Sequence, residues 1–111
     1  MYQNQKIEKK GEEIAYKYLI KNNNEVLERN FRCKQGEIDI IAKDNLTQEL
    51  AFVEVKTRST FKYGRPSEAV KKFKQKHIIN AAKYYTYINK IYYIPIRFDI
   101  IEIILNNNNY R

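Results

Sequence analysis

Cysteine is almost missing from this 111-residue chain. Cys33 is the single one, so it forms no internal disulfide and is too few for a zinc site. A reducing compartment is expected. Histidine also occurs once. His77 has no Ser, Cys or Asp partner at a known spacing, which makes it a poor general base and leaves it as a partly exposed helix residue. The N-terminal segment Met1-Tyr2-Gln3-Asn4-Gln5-Lys6 has no apolar signal core. No apolar run approaches the length of a membrane span. These absences lead to the expectation of a cytoplasmic protein with no membrane partner. There is no internal repeat and no linker. The runs of Asn at 22–24 and 106–109 are the low-complexity stretches, and neither carries a functional signal.

Basic charge is what the chain has in excess. It carries 21 Lys and Arg against 13 Asp and Glu, a formal net charge of +8. That suits a polyanionic partner such as nucleic acid. The length suits one domain over residues 1–111, with roughly two thirds of the unfolded surface buried in a single core. Residues 6–21 read as a helix with Ile7, Gly11, Ile14, Ala15, Tyr18 and Leu19 on one face. The Asn run then ends it. Strands are predicted at 26–32, 37–43 and 49–57. A loop at 63–66 and a helical turn from Ser67, containing Ala69 and Val70, follow. A second helix spans 72–89, with Ile78, Ala81, Ala82, Tyr85 and Ile88 on one side. A last strand runs over 96–105, and 106–111 read as a frayed tail. Three consecutive strands form a meander. The helical crossover lets the last strand pair in parallel. The predicted fold is α/β, a mixed sheet flanked by helices in the order helix, three strands, helix, strand.

Two of these strands contain charges that local rules disfavour. They are Gly36-Glu37-Ile38-Asp39-Ile40-Ile41 and Ala51-Phe52-Val53-Glu54-Val55-Lys56. Acidic residues and lysine are depleted from strands and seldom buried unless paired, so such a breach points to a functional site. Residues two apart on a strand share a face. A four-residue loop at 45–48 closes the hairpin with Asp44 opposite Glu49. Asp39 is then expected to face Glu54, and Glu37 to face Lys56, all on one side. Opposed carboxylates repel. The repulsion becomes useful around a divalent cation, because hard cations prefer carboxylate oxygens. A neighbouring lysine can hold and polarise a water. That is equipment for metal-assisted phosphodiester hydrolysis. The plain alternative is a cross-strand Glu37–Lys56 ion pair, with Asp39 and Glu54 on a solvated face.

The order of elements, with an Asp on the second strand and Glu-x-Lys on the third, resembles the restriction-endonuclease-like core. A closer resemblance is to the YraN-type family, an uncharacterised bacterial family similar to archaeal Holliday-junction resolvases. The matching stretches are Gly11-Glu12-Glu13-Ile14-Ala15 with Tyr18-Leu19, Arg29-Asn30-Phe31-Arg32, Gly36 to Ile41, and Phe52-Val53-Glu54-Val55-Lys56-Thr57-Arg58. Further matches are Gly64, Ala69-Val70, Lys74, Ala81-Ala82 and Arg97-Phe98-Asp99. The resemblance implies that Asp39 and Glu54 are metal ligands, joined by the carbonyl of Val55, and that Lys56 is the catalytic lysine. It puts Glu12 of the first helix at the metal site as well. A surface carboxylate near a helix N-terminus explains Glu12 equally. The implied metal is Mg²⁺ or Mn²⁺.

Other residues are weighed on their own pattern. Lys74 shares a helix face with Ile78, Ala81 and Tyr85 and leans toward the sheet. There it contacts a phosphate, pairs with Glu37, or merely snorkels. Arg29, Arg32, Lys34, Arg58, Lys62 and Arg65 adjoin strand ends, and Lys71, Lys72 and Lys76 adjoin the second helix. As a group they suit phosphates along a duplex, with Phe61 and Tyr63 interleaved for stacking. Tyr84, Tyr85, Tyr87, Tyr92 and Tyr93 exceed what one core needs, which suggests a homodimer surface. Arg97 and Asp99 share a strand face and are expected to form a structural pair. Two functions fit. One is a metal-dependent endonuclease-like hydrolase acting on DNA, branched DNA included, with Asp39, Glu54, Lys56, Glu12 and Glu37 at its site. The other is a non-catalytic nucleic-acid-binding module with a nuclease-like fold.

Overall fold

The computed structural model describes residues 2–58 and 72–105. The elements run α1 (Tyr2–Lys21), β1 (Asn24–Cys33), β2 (Gly36–Asp44), β3 (Leu50–Arg58), α2 (Lys72–Ile88) and β4 (Ile96–Ile104). This is the expected order. The loop at 63–66, the turn from Ser67 and the tail at 106–111 lie outside the described residues. The sheet order is β1-β2-β3-β4. β2 is antiparallel to β1 and to β3, and β4 returns parallel to β3. No described helix is long and apolar enough to cross a membrane.

The asparagine run stops α1 as predicted. The main-chain N–H of Asn22 donates to the carbonyls of Tyr18 and Leu19, and Asn23 turns the chain at φ 66°. The Asn24 amide donates to the Leu19 carbonyl at 3.2 Å, so it closes the helix end and already starts β1, two residues before the predicted boundary. The buried stripe of α1 is narrower than its periodicity suggests. Gly11, Ala15 and Leu19 are buried, whereas Ile14 and Tyr18 are exposed. A glycine explains this. A Cβ at Gly11 would run into the Thr57 side chain on β3, so the helix comes close to the sheet there along the narrow line Gly11, Ala15 and Leu19.

β3 is covered on both faces, which is why Leu50 to Val53 form an apolar run without alternation. Ile38, Ile41, Leu50 and Phe52 pack beneath Ile78, Ala81, Ala82 and Tyr85 of α2. Ala15 and Leu19 of α1 cover Ile40, Ala42, Ala51 and Val53. The helices therefore lie on opposite faces of the sheet. The β2–β3 turn closes as expected, with the Asp44 N–H donating to the Glu49 carbonyl at 2.9 Å. Arg97 of β4 clamps it, holding Asp44, Glu49 and Asp99 at 2.9, 2.7 and 2.8 Å. The Arg97–Asp99 pair was expected. Its extension to both turn carboxylates is a tertiary feature.

Candidate functional site

Strand alternation breaks in β1 and β2 at the same level. Ile38 packs toward α2 and Ile40 toward α1, although they are two residues apart. On β1, Phe31 meets the Tyr85 ring of α2 edge-on at 5.2 Å, while Arg29 pairs with Glu13 of α1. The ladder pairs Arg29 with Ile40 and Phe31 with Ile38. Asn30 and Asp39 are the residues between those pairs. Asn30 takes φ 54°, a left-handed conformation that asparagine tolerates better than most residues. The facing change corrects one expectation. Glu37 does not oppose Lys56. It is exposed and pairs with Arg32 on β1 at 3.8 Å.

The β2–β3 register matches the hairpin expected, from Lys43↔Leu50 to Ile40↔Val53. The ladder ends there. Beyond it, the Val55 N–H donates to Asp39 Oδ2 at 2.7 Å. Parity from the Asp44–Glu49 pair would have sent that N–H to the Ile38 carbonyl. The side chain thus replaces a ladder bond, and this anchors Asp39 beside the strand that carries Glu54.

Glu54 is buried, with 8% of its side chain exposed. Lys74 of α2 reaches it at 2.7 Å and Lys56 at 3.6 Å. Burial drives the Asp39 carboxyl up to about 7. The Val55 hydrogen bond opposes that rise, and the charge of Glu54 adds to it. Lys56 is pulled down by burial and by its neighbour Lys74, against the attraction of Glu54 and Asp39. Lys74 loses to burial as well, but its bond to Glu54 outweighs the loss and leaves its pKa raised. Glu12 is half-buried on α1. Burial raises its pKa, and Arg29 counters the rise.

Asp39, Glu54, Lys56 and Lys74 therefore meet at one end of the β2–β3 pair, with Glu12 close enough to act on Asp39 electrostatically. Among the described residues, no three His, Cys, Asp or Glu side chains form a metal-holding group by themselves. Two carboxylates close enough for Glu54 to raise Asp39 do suit a hard cation. The partner of Lys74 escaped the sequence reading, which offered Glu37. The inward lean of Lys74 was legible, but the facing change that removes Glu37 was not.

The basic residues are spread out. Arg29 pairs with Glu13 at 3.1 Å and lies over the Tyr16 ring at 4.4 Å. Arg32 is largely exposed. Arg58 ends β3 half-buried, its Nε without a hydrogen-bond partner among the described residues. Lys62, Arg65, Lys71, Phe61 and Tyr63 lie outside the described residues. His77 is exposed, as expected, and its carbonyl backs Gly36. Tyr85 belongs to the core, whereas Tyr87, Tyr92 and Tyr93 are 73, 66 and 98% exposed, which leaves them available to a partner. A groove of about 220 Å³, lined by Phe52, Ile78, Ile79, Phe98 and Ile100, runs up to Glu54. Sequence reading did not anticipate it, because its walls come from three separate elements.

Comparison with known proteins adds the family. Residues 11–103 match the model of an uncharacterised protein family, UPF0102. A UPF0102 protein of Clostridium perfringens (strain SM101 / Type A) is 51% identical over 94 residues, covering 84% of this chain and 75% of the relative. One from Caldicellulosiruptor saccharolyticus is 48% identical over 99 residues, covering 89 and 82%. One from Clostridioides difficile (strain 630) is 50% identical over 95 residues, covering 86 and 82%. The match runs from the second half of α1 through β4, and the chain belongs to the UPF0102 (YraN-type) family.

Proposed function

We propose that this chain is a metal-dependent nuclease that hydrolyses phosphodiester bonds in DNA, with branched DNA among its candidate substrates. The observation that carries the proposal is the meeting of Asp39, Glu54 and Lys56 at one end of the β2–β3 pair. The family itself is uncharacterised and lends no reaction. Asp39, Glu54 and the Val55 carbonyl would hold Mg²⁺ or Mn²⁺, with Glu12 near enough to join through its charge. A divalent cation bound there supplies Lewis acidity toward phosphate oxygens.

The remaining chemistry belongs to the chain. Lys56 orients the attacking water and stabilises charge on the phosphate oxygens. Arg29, Arg32, Arg58, Lys62, Arg65 and Lys74 contribute phosphate contacts, in keeping with the +8 charge. Glu37 belongs to the neighbourhood of Glu12 rather than of Lys56. The exposed tyrosines suit a homodimer contact, and a cytoplasmic setting suits the lone Cys33.

One observation favours the second reading, a nucleic-acid-binding module without turnover. Lys74 and Lys56 already neutralise Glu54, and Val55 already satisfies one oxygen of Asp39. The test is incubation of wild type and Asp39→Asn with plasmid, branched DNA and RNA, in Mg²⁺, Mn²⁺ or EDTA. Cleavage by wild type with metal, lost in EDTA and in Asp39→Asn, is the expected result. No cleavage under any of these conditions leaves the binding module.

A further inference from the structure

Glu54 is a buried carboxylate, and a buried charge needs a partner. Lys74 is that partner at 2.7 Å. It comes from the first turn of α2, on a side chain 37% exposed, so it has room to leave. Lys56 extends from β3, whose backbone pairs with β4 there, and lies at the longer distance of 3.6 Å. We infer that Lys74 is an exchangeable counter-ion: its ammonium holds Glu54 in the metal-free protein and is released when a divalent cation takes the Asp39–Glu54 pair. This rests on the metal-site reading and adds a competitor to it. An ammonium at 2.7 Å from Glu54 and a divalent cation on the same carboxylate repel each other, so each weakens the other's hold. Cation affinity is therefore reduced by whatever Lys74 contributes in that bond. The released ammonium is then free to meet a phosphate, which ties the phosphate-contact role of Lys74 to the presence of metal.

The experiment is calorimetric titration of Mn²⁺ into the full chain as wild type, Lys74→Met, Lys74→Arg and Asp39→Asn. Lys74→Met keeps the aliphatic stem and removes the competitor. It is expected to bind Mn²⁺ about tenfold more tightly than wild type, the low end for one charge-assisted hydrogen bond on a partly exposed lysine. Lys74→Arg keeps the charge and is expected to stay near wild type. Binding that is lost in Asp39→Asn but unchanged or weakened in Lys74→Met overturns the exchange and leaves the metal site standing. No Mn²⁺ binding by wild type or by Lys74→Met overturns both. If Lys74→Met fails to fold, the side-chain NMR signal of Lys74 in wild type decides. It should shift with Mg²⁺ and stay still in Asp39→Asn. A signal unmoved at saturating Mg²⁺ rejects the inference.

Discussion

Val55 gives its main-chain N–H to Asp39 Oδ2 at 2.7 Å, in place of a strand neighbour's carbonyl. The bond fixes one carboxylate oxygen against the strand that presents Glu54 and Lys56. It also explains how a half-buried acid survives at a break in the ladder: the lost backbone bond is made good by the side chain.

The Asp39 carboxyl sets the first prediction. Its folded pKa of about 7 stands above the ordinary 3.8. Well below pH 3.8 the group is neutral folded or unfolded and costs nothing. As pH rises toward 7, only the unfolded chain ionises, so wild-type stability falls across that window and levels off above it. Asp39→Asn removes the titration and keeps an oxygen for Val55. In EDTA, the stability of Asp39→Asn relative to wild type should climb with pH between 4 and 7, by at most about 1.4 kcal/mol per unit. Denaturant melts across that range check it, and a pH-independent difference rejects it.

The second prediction separates chemistry from binding. Lys56→Ala should keep most DNA affinity and lose cleavage. Replacing Arg58, Lys62 and Arg65 together should weaken binding and flatten its salt dependence, while turnover at saturating DNA survives. Contacts away from the scissile bond give uniform binding, whereas contacts made in the transition state change the chemical step. Filter binding over a salt series and single-turnover cleavage measure the two. Lys56→Ala cleaving at the wild-type rate removes the lysine from the mechanism.

Gly11 carries the third. A Cβ there would meet the Oγ1, Cβ and Cγ2 of Thr57 all at once. Thr57 is short and β-branched, so it has little freedom to move aside. Gly11→Ala should cost about 1–3 kcal/mol, as overpacking does. Adding Thr57→Ala removes the nearest atom and should restore part of that loss. Chemical denaturation of the single and double variants gives the coupling, and simple additivity would mean that the contact is not tight.

Arg97 carries the fourth. Its hydrogen bonds hold the Asp44 and Glu49 carboxyls below their ordinary pKa values. Depressed carboxylates contribute stability above their unfolded pKa and lose it as pH falls through the folded one. Arg97→Met leaves Asp44, Glu49 and Asp99 without their shared cation. It should lower the melting temperature by several degrees near neutral pH and by less at acid pH, once Asp44 and Glu49 are protonated in the folded chain too. A thermal melt at each pH tests this, and an equal loss at both would show that packing rather than charge is at stake.

Much of the fold was open to reading because it rests on local rules. The Asn run ended α1, the four-residue loop set the β2–β3 register, and the helical crossover made β4 parallel. The register alone brought Asp39 opposite the strand of Glu54. Strict alternation failed at Asn30 and Asp39, where both strands change face. Glu37 therefore lies on the other side from the one expected, and pairing with it, one of three roles open to Lys74, does not occur.

The sequence by itself determined the order of elements, the hairpin register and the acidic and basic residues that had no business in a buried strand. These follow from periodicity, turn chemistry and propensity, which act over a few residues. The tertiary structure decided which charges meet. Lys74 reaches Glu54 only because α2 packs on the face that Phe52 and Ile38 present, and Arg97 reaches Asp44 only because β4 lies beside β3. The reach of a side chain depends on where two distant backbones are held, and that is settled by the burial of the core between them.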